Sequence, residues 1–207
     1  TDVWKEPFTL RPTDAITVTR LMDRLDQQLE DNTVVIADVG DSLFGATELT
    51  TRGKTEFISP AYYTSMGFAV PAALGVHVAK PTARVVAIVG DGAFQMTGME
   101  LSNLVRRKYR TIVIILDNQG YGTERLLHPG NWAFNDIQPW HYHRLPEVLG
   151  GGKGYLIRTE ADFDQALKAA WNDGAGPSIL QVLIDPQDCS RALATLASRM
   201  SKTVVQK

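Results

Sequence analysis

Two short segments carry the side chains best suited to holding a metal-bound anion. Gly90-Asp91-Gly92 directly follows an apolar run, and Asp117-Asn118-Gln119-Gly120 closes the next one. Glycines permit unusual φ angles and let backbone come close to a ligand. Asp91 is a hard oxygen donor that suits Mg²⁺. Asn118 offers a neutral carbonyl oxygen, and Gly120 offers a backbone carbonyl on a turn. Twenty-five residues lie between Gly92 and Asn118. That is room for a turn, a helix and a returning strand, so the two loops are expected at neighbouring strand ends. A helix read over 96–108 would offer free N–H groups to a phosphate. No Lys or Arg occurs in 90–95 or 117–122. A diphosphate carries more charge than one Mg²⁺ cancels, and Asp91 adds to it. The remainder falls to backbone N–H groups and a helix dipole, the latter worth on the order of 0.3–2 kcal/mol. Each segment alone reads as a tight turn closing a strand; the pair at this spacing favours a metal-bridged diphosphate.

The elements that must position these loops follow from hydrophobic patterning. Continuous β-branched runs at 33–40, 84–90, 111–118 and 178–185 suit strands covered on both faces. Helical patterns lie between them, near 69–79, 97–108 and 160–173. An earlier helix is expected to run from a Thr13 or Asp14 cap to about Asp31, with Ile16, Leu21, Leu25 and Leu29 on its apolar stripe. Strands alternating with helices predict an α/β fold, a doubly wound parallel sheet with helices on both faces. Ligands in such sheets sit outside the carboxyl ends of the strands. That directs attention to Asp38–Ser42, Gly90–Phe94 and Asp117–Glu124. Residues 1–12, with two prolines and no clear period, read as a linker or docking arm, and 13–207 as one domain. The stretch 127–154 reads as a long irregular loop of functional or docking use.

The 207 residues suit one domain with a full core, with 44% apolar and 21% charged residues. A net charge of −2 gives no electrostatic footprint for nucleic acid or an anionic membrane. Cys189 stands alone, which excludes an internal disulfide framework and suits a reducing, cytoplasmic compartment. No apolar run approaches the roughly 18 residues that span a bilayer. The chain opens at Thr1 without a Met and reads as a fragment or a processed product.

The stretch GDGAFQMTGMELSNLVRRKYRTIVIILDNQGYGTE resembles the fingerprint of thiamine diphosphate (ThDP) enzymes. GYGTE at 120–124 and FNDIQPWHYHRLPEVLG at 134–150 resemble the 2-oxo acid decarboxylase branch. So do ADVGDSLFGA at 37–46 and YYTSMGFAVPAALG at 62–75. That branch includes the pyruvate, indolepyruvate, phenylpyruvate and branched-chain oxo acid decarboxylases. The resemblance covers about residues 30–185. It implies that Asp91, Asn118 and the Gly120 carbonyl hold Mg²⁺. It implies cofactor contacts from Asp41, Ser42, Thr64, Met66, Gly90, Gly92, Ala93, Phe94, Asn118, Gly120, Tyr121, Gly122 and Thr123. The Thr64 carbonyl would receive the 4′-amino group of the pyrimidine, and Met66 would enforce the cofactor's bent shape. Glu124 would be the catalytic acid that completes aldehyde release, in a desolvated setting that favours its neutral form. Thr123, being small, leaves room for an aromatic or large aliphatic 2-oxo acid.

Three positions depart from the family pattern. Asp117 precedes the ligand Asn where many members have Asn. Ala93 follows GDG where many have Ser, leaving only an N–H for the diphosphate. Asp41 falls where relatives place a small hydroxyl residue. The resemblance also implies a separate pyrimidine-binding domain, carrying the glutamate that activates the cofactor, and a cofactor shared between chains. That domain is absent from these residues. The chain is therefore expected to belong to a longer protein or to pair with another subunit, in a homodimer or homotetramer, and to be inactive alone.

Other readings stay open. An acetolactate-synthase-like carboligase usually lacks an acid at the Glu124 position. A nicotinamide-binding domain needs a final glycine that GDGAFQ lacks. A non-catalytic binding module also fits a chain with half a site. His141 and His143 would share one face of a strand, without a third ligand for zinc. Trp132 and Trp140 read as interface or core aromatics.

Overall fold

Residues 7–128 and 130–204 are described here in a computed structural model. Six strands form one sheet: β1 (Thr33–Ala37), β2 (Glu56–Ile58), β3 (Arg84–Gly90), β4 (Thr111–Asp117), β5 (Lys153–Ile157) and β6 (Ser178–Leu183). Their order is β2-β1-β3-β4-β6-β5, and every neighbouring pair is parallel. The helices are α1 (Val18–Gln28), α2 (Asp41–Ala46), α3 (Ala69–Ala79), α4 (Asp91–Thr97), α5 (Leu101–Arg106), α6 (Gly122–Leu127), α7 (Leu145–Val148), α8 (Glu160–Asn172) and α9 (Arg191–Val204).

The predicted doubly wound α/β architecture is the one observed. Side chains alternate between faces of a strand, so each buried strand feeds two cores. Ile112, Ile114 and Leu116 of β4 join Val86 and Ile88 under α1 and α8, with Leu21, Leu25, Phe163 and Leu167. Val113 and Ile115 join Val85, Ala87 and Val89 under α3 to α5, with Ala73, Leu101 and Leu104. From β1 the chain crosses to β2 on one side, and from β3 it crosses to β4 on the other. This reversal opens a crevice outside the carboxyl ends of β1 and β3.

Several expected boundaries move. Helix α1 starts after Thr17, whose side chain accepts from Arg20 N, and ends at Gln28. The residues just before it are extended: Ala15 bridges Thr159, and Asp14 O accepts from Glu160 N. The helix after GDG begins at Asp91, five residues earlier than read, and breaks at a 3₁₀ turn (Gly98–Glu100) before α5. The stretch 127–154 is partly ordered, with 3₁₀ turns at Ala133–Asn135 and Tyr142–Arg144, then α7 and the start of β5. His141 therefore precedes a 3₁₀ turn and His143 lies within it, not on a strand face, and His143 Nδ1 lies 2.6 Å from Gln181 Oε1. Of the arm, residues 7–12 lie within the described chain. Arg20 sits over the Phe8 ring at 4.2 Å, and Arg11 N donates to Glu160. Residues 1–6 of the arm and 205–207 of the domain lie outside the described residues. Among the described residues no helix is long and apolar enough to cross a membrane.

Candidate functional site

The crevice holds a cavity of about 360 Å³. Four loops line it: Val39–Phe44 after β1, Thr64 and Met66 before α3, Gly90–Ala93 after β3, and Asn118–Glu124 after β4. Because Gly90 pairs with Leu116 across adjacent strands, the two motif loops emerge side by side. They touch directly, since Gly120 N donates to Asp91 Oδ2 at 3.1 Å. Gly92 N donates to Asp91 Oδ1 at 2.8 Å. Asp91 is 1% exposed. Burial, then the charge of Asp117, pushes its carboxyl above the usual carboxylate range. Asp117 is also buried; its Oδ2 accepts from Gln181 Nε2 at 2.6 Å, while its Oδ1 has no partner. No Lys, Arg or His forms an ion pair with either acid among the described residues, and no Lys or Arg lines the cavity. Two buried carboxylates without a cation are costly. A divalent ion at this end of the cavity would offset that cost, and the donors present are the oxygens Mg²⁺ takes.

Glycine is required where the loops close on each other. Gly40 has φ +76, and a Cβ there would meet Thr123 Oγ1 at 3.1 Å. A Cβ on Gly92 would meet the Tyr121 ring at 2.6 Å. Asp38, with no exposed surface, clamps the opposite wall. It accepts from Gly67 N at 3.1 Å and Ala69 N at 2.8 Å, and from Val39 N at 3.0 Å. Just before the clamped segment, Thr64 N donates to Pro60 O at 2.9 Å and Thr64 adopts φ +52. A β-branched residue in this region is strained, a state that persists where the surroundings impose it.

The structure brings to the cavity Asp41, Ser42, Thr64, Met66, Gly90, Asp91, Gly92, Ala93, Asn118, Gly120, Tyr121, Gly122, Thr123 and Glu124. Ser42 Oγ is buried there without a partner. Phe94 departs from expectation: it is 1% exposed and turned into the core, edge-on to Tyr142 at 5.3 Å. A helix beginning at Asp91 rotates its fourth residue inward. Asp41 does not present a free acid either. Its carboxylate accepts from Ser190 N at 2.9 Å and from Ser190 Oγ, and burial raises its pKa despite those bonds. The desolvation expected at Glu124 is not provided by this chain. Its side chain is 50% exposed and lies 3.1 Å from His128 Nδ1.

Comparison with known proteins bears on this geometry. Residues 38–182 match the family model described as "Thiamine pyrophosphate enzyme, C-terminal TPP binding domain". The chain belongs to this family. This TPP-binding domain is 31% identical over 191 residues to a probable pyruvate decarboxylase of Schizosaccharomyces pombe, covering 90% of this chain and 33% of that protein. It is 32% identical over 176 residues to a pyruvate decarboxylase of Neurospora crassa, covering 83% and 30% respectively. An alpha-keto-acid decarboxylase of Mycolicibacterium paratuberculosis is 31% identical over 183 residues, covering 87% and 32%. The TPP-binding domain thus spans about a third of the length of these relatives. Its cavity also takes in Gly40, Leu43 and Phe44 of the 37–46 stretch, and Val18 and Ile184, which no quoted motif contains. The fold alone brings Val18 and Ile184 there; nothing in their residue types signals it.

Proposed function

We propose that this domain grips the diphosphate of ThDP through one Mg²⁺ held by Asp91, Asn118 and the Gly120 carbonyl. The observation that carries this reading is the contact between the two loop tips at two buried acids, Asp91 and Asp117, with which no Lys, Arg or His pairs among the described residues. The first-turn N–H group of Ala93 and the Ser42 hydroxyl would meet the remaining phosphate charge. Thr64, held in its left-handed turn, would present its carbonyl to the aminopyrimidine, with Met66 beside it as the wedge.

The whole protein, in this reading, is a 2-oxo acid decarboxylase that releases an aldehyde and CO₂. ThDP, when bound, supplies the electron sink for CO₂ loss. Glu124, at the cavity's open side, delivers the proton that completes aldehyde formation. Its exposure supports a pyrimidine-binding domain that covers this side and excludes water. That requirement supports assembly of at least two chains. Thr123 lines the cavity as a small wall, which suits an aromatic or large aliphatic substrate. An acid at 124 favours the decarboxylase over a carboligase. In the complete protein, Glu124→Gln should leave cofactor binding within about twofold and lower aldehyde release by roughly 10²-fold or more. Undiminished aldehyde output would remove Glu124 from this role.

A further inference from the structure

We propose that Arg125 is the positioning residue of the metal loop, selecting which loop carbonyl faces the ion. The inference rests on the Mg²⁺ reading above. The loop after β4 contains two unusual backbone conformations, Gln119 at φ +61 and Gly120 at φ +154. A free loop would not hold Gln119 there. The Arg125 guanidinium spans it: Nη1 donates to Asn118 O at 2.8 Å, and Nη2 donates to Gln119 O at 2.8 Å. Nη2 also donates to Asp136 Oδ1 at 3.0 Å. Asp136 follows the Ala133–Asn135 turn, and its backbone bridges Gly120. Asn135 O accepts from Tyr121 N at 2.8 Å. The Arg125 side chain is only 13% exposed. A Cβ on Gly120 would collide with both Asn135 O and Arg125 Nη2, so the guanidinium packs on the loop's bare Cα.

The consequence is a division among three consecutive carbonyls. Those of Asn118 and Gln119 face a planar guanidinium fork, whose positive charge repels a divalent ion from both. The Gly120 carbonyl accepts from a neutral donor, Gly122 N at 3.1 Å, and with its second lone pair can face a cation. Arg125 therefore spends its charge behind the metal loop and not on the diphosphate, consistent with a cavity lined by no Lys or Arg. It also ties the loop to α6, the helix that carries Glu124.

The test uses the full-length protein carrying this domain, with ThDP binding followed by calorimetry across a Mg²⁺ series. For Arg125→Met the half-saturating Mg²⁺ should rise about tenfold or more. With both metal and cofactor saturating, kcat should fall no more than about threefold. Arg125→Lys, which keeps the charge but cannot span two carbonyls, should fall between the two proteins. If the Met variant does not fold, the Lys variant decides, and a wild-type Mg²⁺ requirement in it overturns the proposal. So does a Met variant that loses kcat while its Mg²⁺ requirement is unchanged. A wild type whose ThDP binding ignores Mg²⁺ overturns the metal reading itself. A Mg²⁺-dependent wild type matched by Arg125→Met overturns only the role of Arg125.

Discussion

A single methyl group at residue 122 would reach the metal loop. A Cβ on Gly122 would run into the Asn118 carboxamide nitrogen, and Gly122 is the first residue of α6, where alanine is otherwise a better helix former. Gly122→Ala should therefore leave thermal stability nearly unchanged while displacing the Asn118 side chain, a metal ligand in the proposed function. Cofactor affinity in the complete protein should fall about tenfold or more, since displacements near 1 Å carry penalties up to 10²-fold; parallel melting and titration curves check this. At this scale the motifs were readable because their chemistry is local: Asp91, Asn118 and the glycines announce themselves by type and spacing. Phe94 was misplaced because its direction depends on where α4 begins, which no residue in GDGAFQ signals. The exposure of Glu124 could not be read from the sequence, since it depends on how α6 sits at the crevice.

Strand legibility followed burial. β1, β3, β4 and β6 are inner strands buried on both faces and read as unbroken β-branched runs. β2 and β5 are the sheet's edges. β2 has only three residues, two of them exposed, and β5 opens with Lys153 and Gly154. Edge strands are short or polar because a long apolar edge would invite other chains. Helices α2, α4 and α6 have six or seven residues, too few to reveal a 3.6-residue period. Helix α1 is pinned to α8 through Glu160, which is 1% exposed. Glu160 accepts from Arg20 Nε at 2.6 Å, Arg20 Nη2 at 2.8 Å and Arg11 N at 2.8 Å. Burial works against its charge, but the Arg20 fork and the Arg11 N–H outweigh it and hold its pKa below the usual value. A carboxyl depressed in this way adds stability above its unfolded pKa, and that stability is lost as pH falls through the folded value. Glu160→Gln should thus cost about 1–3 kcal/mol at pH 7. The difference from wild type should shrink in denaturant melts taken below about pH 4, near the ordinary glutamate range.

At the scale of the whole domain, the doubly wound sheet places four loops around one crevice, and that much follows from alternating strands and helices in the sequence. The side bearing Glu124 is open, with Tyr62 and Tyr63 at 90% and 81% exposure next to Thr64, and under the proposed function a second domain closes it. Prepared alone, the chain should fold cooperatively yet release no CO₂ from any 2-oxo acid, while the complete protein should do so. Turnover by the isolated chain, measured as aldehyde formed, would mean that the activating group lies within these residues. The most direct test of the account is calorimetric titration of the complete protein with ThDP, with and without Mg²⁺, repeated on Asp91→Ala. Saturable binding should appear only with the metal and vanish in the variant. Binding indifferent to Mg²⁺, or none at millimolar cofactor, would contradict the account.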